Sequence, residues 1–141
     1  MATVYSDRAG TNDVAKHVEK GVFSDSCTYT FAGEAAGTVL DLFKIAAGVR
    51  VLDMILTSDD LGTLTVDVGI TGVDVDQFMD GIDFGAAGGA VARMGASVSA
   101  SPFPYHTGTV LSASAQTVIS LLTITGAATG TVKATVFLSA D

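Results

Sequence analysis

Tryptophan is absent from this 141-residue chain, cysteine occurs once, proline twice, and lysine and arginine together only seven times. Each shortage removes a class of explanation. Cys27 has no second cysteine to join, so no disulfide framework staples the fold, and a lone thiol at the start of a strand reads as a small buried hydrophobe. A net charge of −8 speaks against a nucleic-acid backbone as partner, because that affinity comes from neutralising phosphates with Lys and Arg. Arg8, Lys16, Lys20, Lys44, Arg50, Arg93 and Lys133 form no run and are not interleaved with aromatics. No stretch of about 18 apolar residues is available to span a membrane. The opening Met1-Ala2-Thr3-Val4 carries no basic-then-apolar secretory signature, so synthesis in a reducing cytoplasm is expected.

What remains is apolar and weakly charged. Hydrophobic residues make up 48% of the chain and charged residues 16%, well below the roughly 25% of an average soluble protein. The solvent face must therefore be built of Thr, Ser, Gly and Ala, a surface poor at holding other proteins away. That pattern suits a protein whose exterior is covered in an assembly. The length fits one domain with a real core.

From Cys27 onward the text is β-type. Apolar or alternating runs cover Cys27 to Ala32, Thr38 to Ile45, Val49 to Thr57, Thr63 to Ile70, Ala90 to Met94, Thr107 to Ser112, Thr117 to Thr125 and Thr131 to Leu138. Glycines punctuate these runs instead of interrupting them. Val49 to Thr57 is nearly continuous in apolar residues, whereas Thr63 to Ile70 sets Leu64, Val66, Val68 and Ile70 on one side. The intervening Ser58-Asp59-Asp60-Leu61-Gly62 offers Asp side chains to turn amides, so the two runs are expected to form a hairpin. Gly126 to Gly130 has the length of a second hairpin connection. Thr71 to Gly89 and Gly95 to His106 are expected as longer loops.

These features predict an all-β fold, an antiparallel β-sandwich of about eight strands over residues 27–141. A jelly roll fits the two longer connections best; an immunoglobulin-like sandwich lacks its usual Trp. Residues 1–26 differ, gathering Asp7, Arg8, Asp13, Lys16, Lys20 and Asp25 with little alternation, and read as an N-terminal extended arm. Asn12 to Lys20 has the N-cap and first-turn acid of a short helix.

Chemical motifs are weak. Asp74, Asp76, Asp80 and Asp83 are hard oxygen donors, but Phe78 and Met79 stand where an EF-hand needs a ligand and Gly, so turn capping and solubility are the expected roles, with Phe78 and Phe84 anchoring the loop. His17 and His106 are not brought together by any pattern. Gly95 to Ser99 lacks the closing Gly of a nucleophile elbow, and Gly85 to Gly89 has no GK[ST]. Asp53, inside an apolar run, must find a donor or face solvent or a neighbour; a cross-strand or intersubunit pair is expected, with Arg50 and Lys44 nearby in sequence. Ser101-Pro102-Phe103-Pro104-Tyr105 is a stiff segment able to act as a contact loop or a lid. No catalytic, metal or cofactor-binding residue is assigned.

Gly37-Thr38-Val39-Leu40-Asp41-Leu42, Ile45-Ala46-Ala47-Gly48-Val49-Arg50-Val51-Leu52-Asp53, Leu64-Thr65-Val66-Asp67-Val68-Gly69, Asp76-Gln77-Phe78-Met79-Asp80-Gly81 and Gly130-Thr131-Val132-Lys133-Ala134-Thr135-Val136 together resemble small phage structural proteins of the capsid decoration, or cement, type. The resemblance implies a jelly-roll domain that trimerises and binds the major capsid protein on the outside of an assembled head. It also implies that a terminal arm makes the attachment. On that reading Tyr5, Arg8, Lys16, Lys20 and Phe23 are the candidate capsid-binding residues, and no enzyme activity, nucleic-acid partner or membrane partner is expected. A carbohydrate- or receptor-binding jelly-roll module of a fibre or tail, using Phe103, Tyr105 and the acidic loop, is the alternative.

Overall fold

Alternating side chains write the strands directly. In the computed structural model, which describes residues 3–6, 21–84, 90–93, 109–110, 115–123 and 126–140, the longest regular alternation falls near the C-terminus. There Val132, Ala134, Val136 and Leu138 are buried while Lys133 is exposed, as a strand with one face on a core requires. The elements are β1 (Thr3–Tyr5), β2 (Gly21–Glu34), β3 (Val39–Ile45), β4 (Val49–Ser58), β5 (Thr65–Ile70), β6 (Asp74–Asp83), β7 (Ala90–Arg93), β8 (Thr109–Val110), β9 (Thr117–Thr123) and β10 (Ala128–Ala140).

They form two sheets, one ordered β1-β3-β9-β5-β6 and the other β2-β10-β4-β7, with β8 also pairing β4. Apart from the parallel pair β1/β3, every ladder among the described residues is antiparallel. The pairings nest: β5 with β6, β4 with β7 and β8, β3 with β9, and β2 with β10. A single long antiparallel ribbon folded over on itself gives this order, which is the winding of a jelly roll. Between the sheets lies one apolar core that includes Phe31, Phe43, Phe78, Phe84, Leu40, Met54 and Ile119.

Nesting corrects two expectations. β4 and β5 are consecutive but lie in opposite sheets, so Ser58 to Gly62 is a crossover between sheets and not a hairpin turn. The turn chemistry expected there is present all the same, with the Gly62 amide donating to Asp60 Oδ1 at 3.0 Å. Gly126 to Gly130 likewise connects β9 in one sheet to β10 in the other, and β10 already starts at Ala128. Turn residues mark where the chain bends; which strand a turn hands on to depends on long-range pairing, to which periodicity is blind. A third correction concerns Thr71 to Gly89, expected as a loop: Asp74–Asp83 within it is strand β6, paired to β5 as the tip hairpin of the ribbon. Its alternation is blurred by two register shifts against β5.

Strand ends also move. The strand expected from Cys27 begins at Gly21, and Thr3–Tyr5 pairs with β3, so parts of the segment read as an arm lie in both sheets. Among the remaining predicted strands, β7 ends at Arg93, β9 at Thr123, and only Thr109–Val110 of the Thr107 to Ser112 run lies in a described strand. Cys27 is buried in the core as expected. The predicted helix at Asn12 to Lys20, both histidines, Gly85 to Gly89, Gly95 to Ser99 and Ser101 to Tyr105 lie outside the described residues.

Two bulges set which side chains face in. Between β4 and β10 the register slips at Phe137/Leu138, so Val51 pairs with Leu138 and Asp53 with Phe137, leaving Leu52 as the extra residue. The slip lets Val49, Val51, Met54 and Leu56 all point to the core while Asp53 does not. Between β3 and β9 the shift at Asp41/Phe43 leaves Leu42 without a cross-strand partner.

Candidate functional site

Strand β1 is seated on the free side of β3 by parallel pairing, Thr3 opposite Val39, Val4 opposite Leu40 and Tyr5 opposite Asp41. Val4 packs against the core. Ser6 closes the seat: its amide donates to the Asp41 carbonyl at 2.9 Å and its hydroxyl to the Leu42 carbonyl at 2.6 Å, with only 1% of the residue exposed. The bulge at Leu42 thus meets a side-chain donor, and a polar group that burial would otherwise penalise is satisfied. Of the residues expected to bind a capsid, Tyr5 is 53% exposed on this strand, whereas Phe23 on β2 packs partly against the core. Arg8, Lys16 and Lys20 lie outside the described residues. Ser6 and the β3 edge carried no sequence signal, because a three-residue strand is too short for periodicity to reveal.

At the opposite edge of the same sheet, β6 carries Asp74, Asp76, Asp80 and Asp83. Pairing brings Asp67 of β5 under them, and one carboxylate oxygen each from Asp67, Asp76 and Asp80 lie within 4.8 Å of one another. Asp67 is 8% exposed and accepts a hydrogen bond from the Gly81 amide at 2.8 Å. Burial pushes the Asp67 carboxyl above the usual carboxylate range, against the Gly81 bond, and the Asp80 charge adds to the rise. Asp76 is raised first by its hydrogen bond to Asp74, then by desolvation and by the charges of Asp74, Asp80 and Asp67. One oxygen from each of three carboxylates is at most half of the six to eight that Ca²⁺ takes. Sequence reading singled out four of these aspartates and missed Asp67; alternation along β5 gave its face, but only the β5/β6 register shows what lies across from it. Phe78 and Phe84 are fully buried and anchor β6 as expected.

Other polar groups serve the scaffold. The Asp53 carboxylate pairs with Arg93 across β4 and β7, a cross-strand partner as expected but neither Arg50 nor Lys44. Its other oxygen accepts from the Met54 amide at 2.8 Å. Asp41, buried on β3, is raised by desolvation, opposed by Lys44 and by a hydrogen bond from Thr71, and its Oδ1 has no partner among the described residues. A shallow cleft between β4 and β10 is lined by Thr57, Ser58, Asp59, Thr131 and Lys133, with the Thr131 amide donating to Asp59 Oδ2 at 3.1 Å. The buried Ser58 hydroxyl in its wall has no hydrogen-bond partner among the described residues.

No protein-family model matches the chain, and no curated protein matches it. Among solved structures, it is similar to a chain from the capsid of Ralstonia phage GP4, with a TM-score of 0.74 and 23% identity over 99% of this chain and 99% of that one. It is also similar to a chain from the cyanophage Pam1 capsid asymmetric unit, with a TM-score of 0.65 and 18% identity over 95% of this chain and 97% of that one. At these identities the likeness is one of fold, and it runs essentially end to end.

Proposed function

We propose that this protein is a virion structural component, a decoration or cement protein that binds the major capsid protein on the outside of an assembled phage head and stabilises it as a homotrimer. The observation that carries the reading is the end-to-end match to chains from two phage capsids, each covering nearly all of both chains. A shared piece of a larger fold would not give such coverage. The low charge and Thr/Ser/Gly-rich composition support it, as they suit a surface covered in an assembly. An overall charge of −8 suits an exterior position, because a packaged genome would repel it. The chain's action is mechanical and not enzymatic: it adds buried interface between capsomers, and a standard contact of roughly 1,600 Å² repeated around a shell raises the free energy of separating them. Residues 1–26 are the proposed attachment segment, with Tyr5, Arg8, Lys16, Lys20 and Phe23 in contact with the shell. Synthesis takes place in the host cytoplasm.

The test is addition of purified protein to heads that lack it. Saturable binding and a higher disruption temperature are expected; heads that neither bind the protein nor gain thermal resistance overturn the reading. Replacement of Arg8, Lys16 and Lys20 by Ser, which keeps the length of chain between β1 and β2, is expected to weaken attachment strongly while circular dichroism keeps its β signal, and unchanged head affinity overturns the role of that segment.

A further inference from the structure

We propose that the edge of β3 is a strand-acceptor slot which, in the homo-oligomer, is filled by β1 of a neighbouring copy; this rests on the homo-oligomeric reading above. The seat is defined largely by backbone groups and one small hydroxyl. It comprises a three-residue parallel ladder, the Val4 side chain against the core, and the Ser6 bonds to Asp41 and Leu42. None of these depends on which copy supplies the strand, so exchange conserves every contact while joining two molecules, the low-cost route to an oligomer that domain swapping exploits.

Three further observations favour a second copy of this chain as the occupant. First, β1 and β2 belong to different sheets, and residues 7–20 stand between Ser6 and Gly21. A connection of that length reaches at most about 50 Å when extended, more than the roughly 37 Å diameter implied by a radius of gyration of about 14 Å for such a chain. Second, the two edges of this sheet differ in charge. β6 carries four aspartates, which repel the like edge of another copy, whereas β3 carries Asp41 and Lys44, which nearly balance. Third, β1 is the one parallel strand among the described residues, so it is an addition to the antiparallel ribbon and not a part of its nested winding. Donation from each copy to the next is a head-to-tail contact, which closes into a ring when the rotation permits.

The ladder gives a direct test. Thr3 and Val39 face each other, so T3C and V39C combined with C27A place the only two thiols across the β1/β3 pair. After mild oxidation of the purified protein, denaturing electrophoresis without reductant is expected to show covalent dimers and larger products that collapse to one chain on reduction. A disulfide closed within a single chain overturns the exchange, and so does a protein that light scattering finds monomeric. As a second measurement, deletion of residues 1–6 is expected to turn the oligomer into a folded monomer, with the β signal retained. An oligomer that survives the deletion overturns the proposal. Both readouts are made without heads, so failure of the exchange leaves the head-binding result to be judged separately.

Discussion

Gly69 on β5 and Asp74 at the start of β6 approach so closely that a Cβ at Gly69 would overlap the Asp74 carbonyl oxygen and the neighbouring Val75 carbonyl carbon. The β5/β6 register shifts between Val68 and Ile70 at this point, so the backbone of β6 folds onto the space that a side chain would take. Because the obstacle is backbone and not a flexible side chain, it cannot move aside cheaply.

G69A is therefore expected to destabilise the fold by about 3 kcal/mol or more, at the severe end of overpacking. Gly72, in the turn two residues before Asp74, has a positive φ of 77° but open space where a Cβ would stand, with nothing within 4 Å. G72A therefore carries only the left-handed backbone strain, about 1–2 kcal/mol. Urea unfolding of the two variants measures the difference, and equal losses would contradict the close approach.

Stability is expected to rise as pH falls from neutral toward about 4. Asp41, Asp67 and Asp76 all have raised carboxyl pKa values. A carboxyl raised on folding binds its proton more tightly in the native state, so its stabilising contribution is full below the unfolded pKa and is lost as pH climbs through the folded one. D67N keeps an acceptor for the Gly81 amide while removing the charge facing Asp76 and Asp80, so it should raise the melting temperature at pH 7 and flatten the profile. Thermal melts across pH 4 to 7 check both statements.

The Asp53–Arg93 pair is expected to contribute little, because the Arg93 side chain is largely exposed. R93A should cost about 0.2–1 kcal/mol, and a double-mutant cycle with D53N should return a coupling in the same range. A coupling several times larger would mean that a partner shields the pair from water.

Phe84 follows β6 at the base of the β5/β6 hairpin. Its ring is fully buried and its carbonyl accepts the Leu61 amide at 3.0 Å, tying β6 to the β4–β5 crossover. F84A is expected to cost about 3–5 kcal/mol by leaving a cavity; Y5A, on an exposed ring, should stay within about 0.5 kcal/mol in the isolated chain. Denaturant midpoints compare them.

Several of these features were legible in the sequence. The alternation of Leu64, Val66, Val68 and Ile70 and the buried role of Cys27, Phe78 and Phe84 follow from side-chain chemistry and the period of two, which need only neighbours along the chain. Bulges were not legible: the run from Val49 to Thr57 looks buried on both faces, whereas an extra residue at Leu52 flips the phase and turns Asp53 away from the core toward Arg93.

The sequence by itself determined an all-β chain with a low-charge exterior, its strand-forming runs and most of its turn chemistry, because these depend on composition and on residues close in the chain. Tertiary structure alone decided that β4 and β5 part into different sheets, that Asp67 lies beneath the acidic edge of β6, and that Ser6 fits the bulge at Leu42. Those are pairings between distant segments, chosen by how one folded ribbon covers a single core, and no local pattern contains that choice.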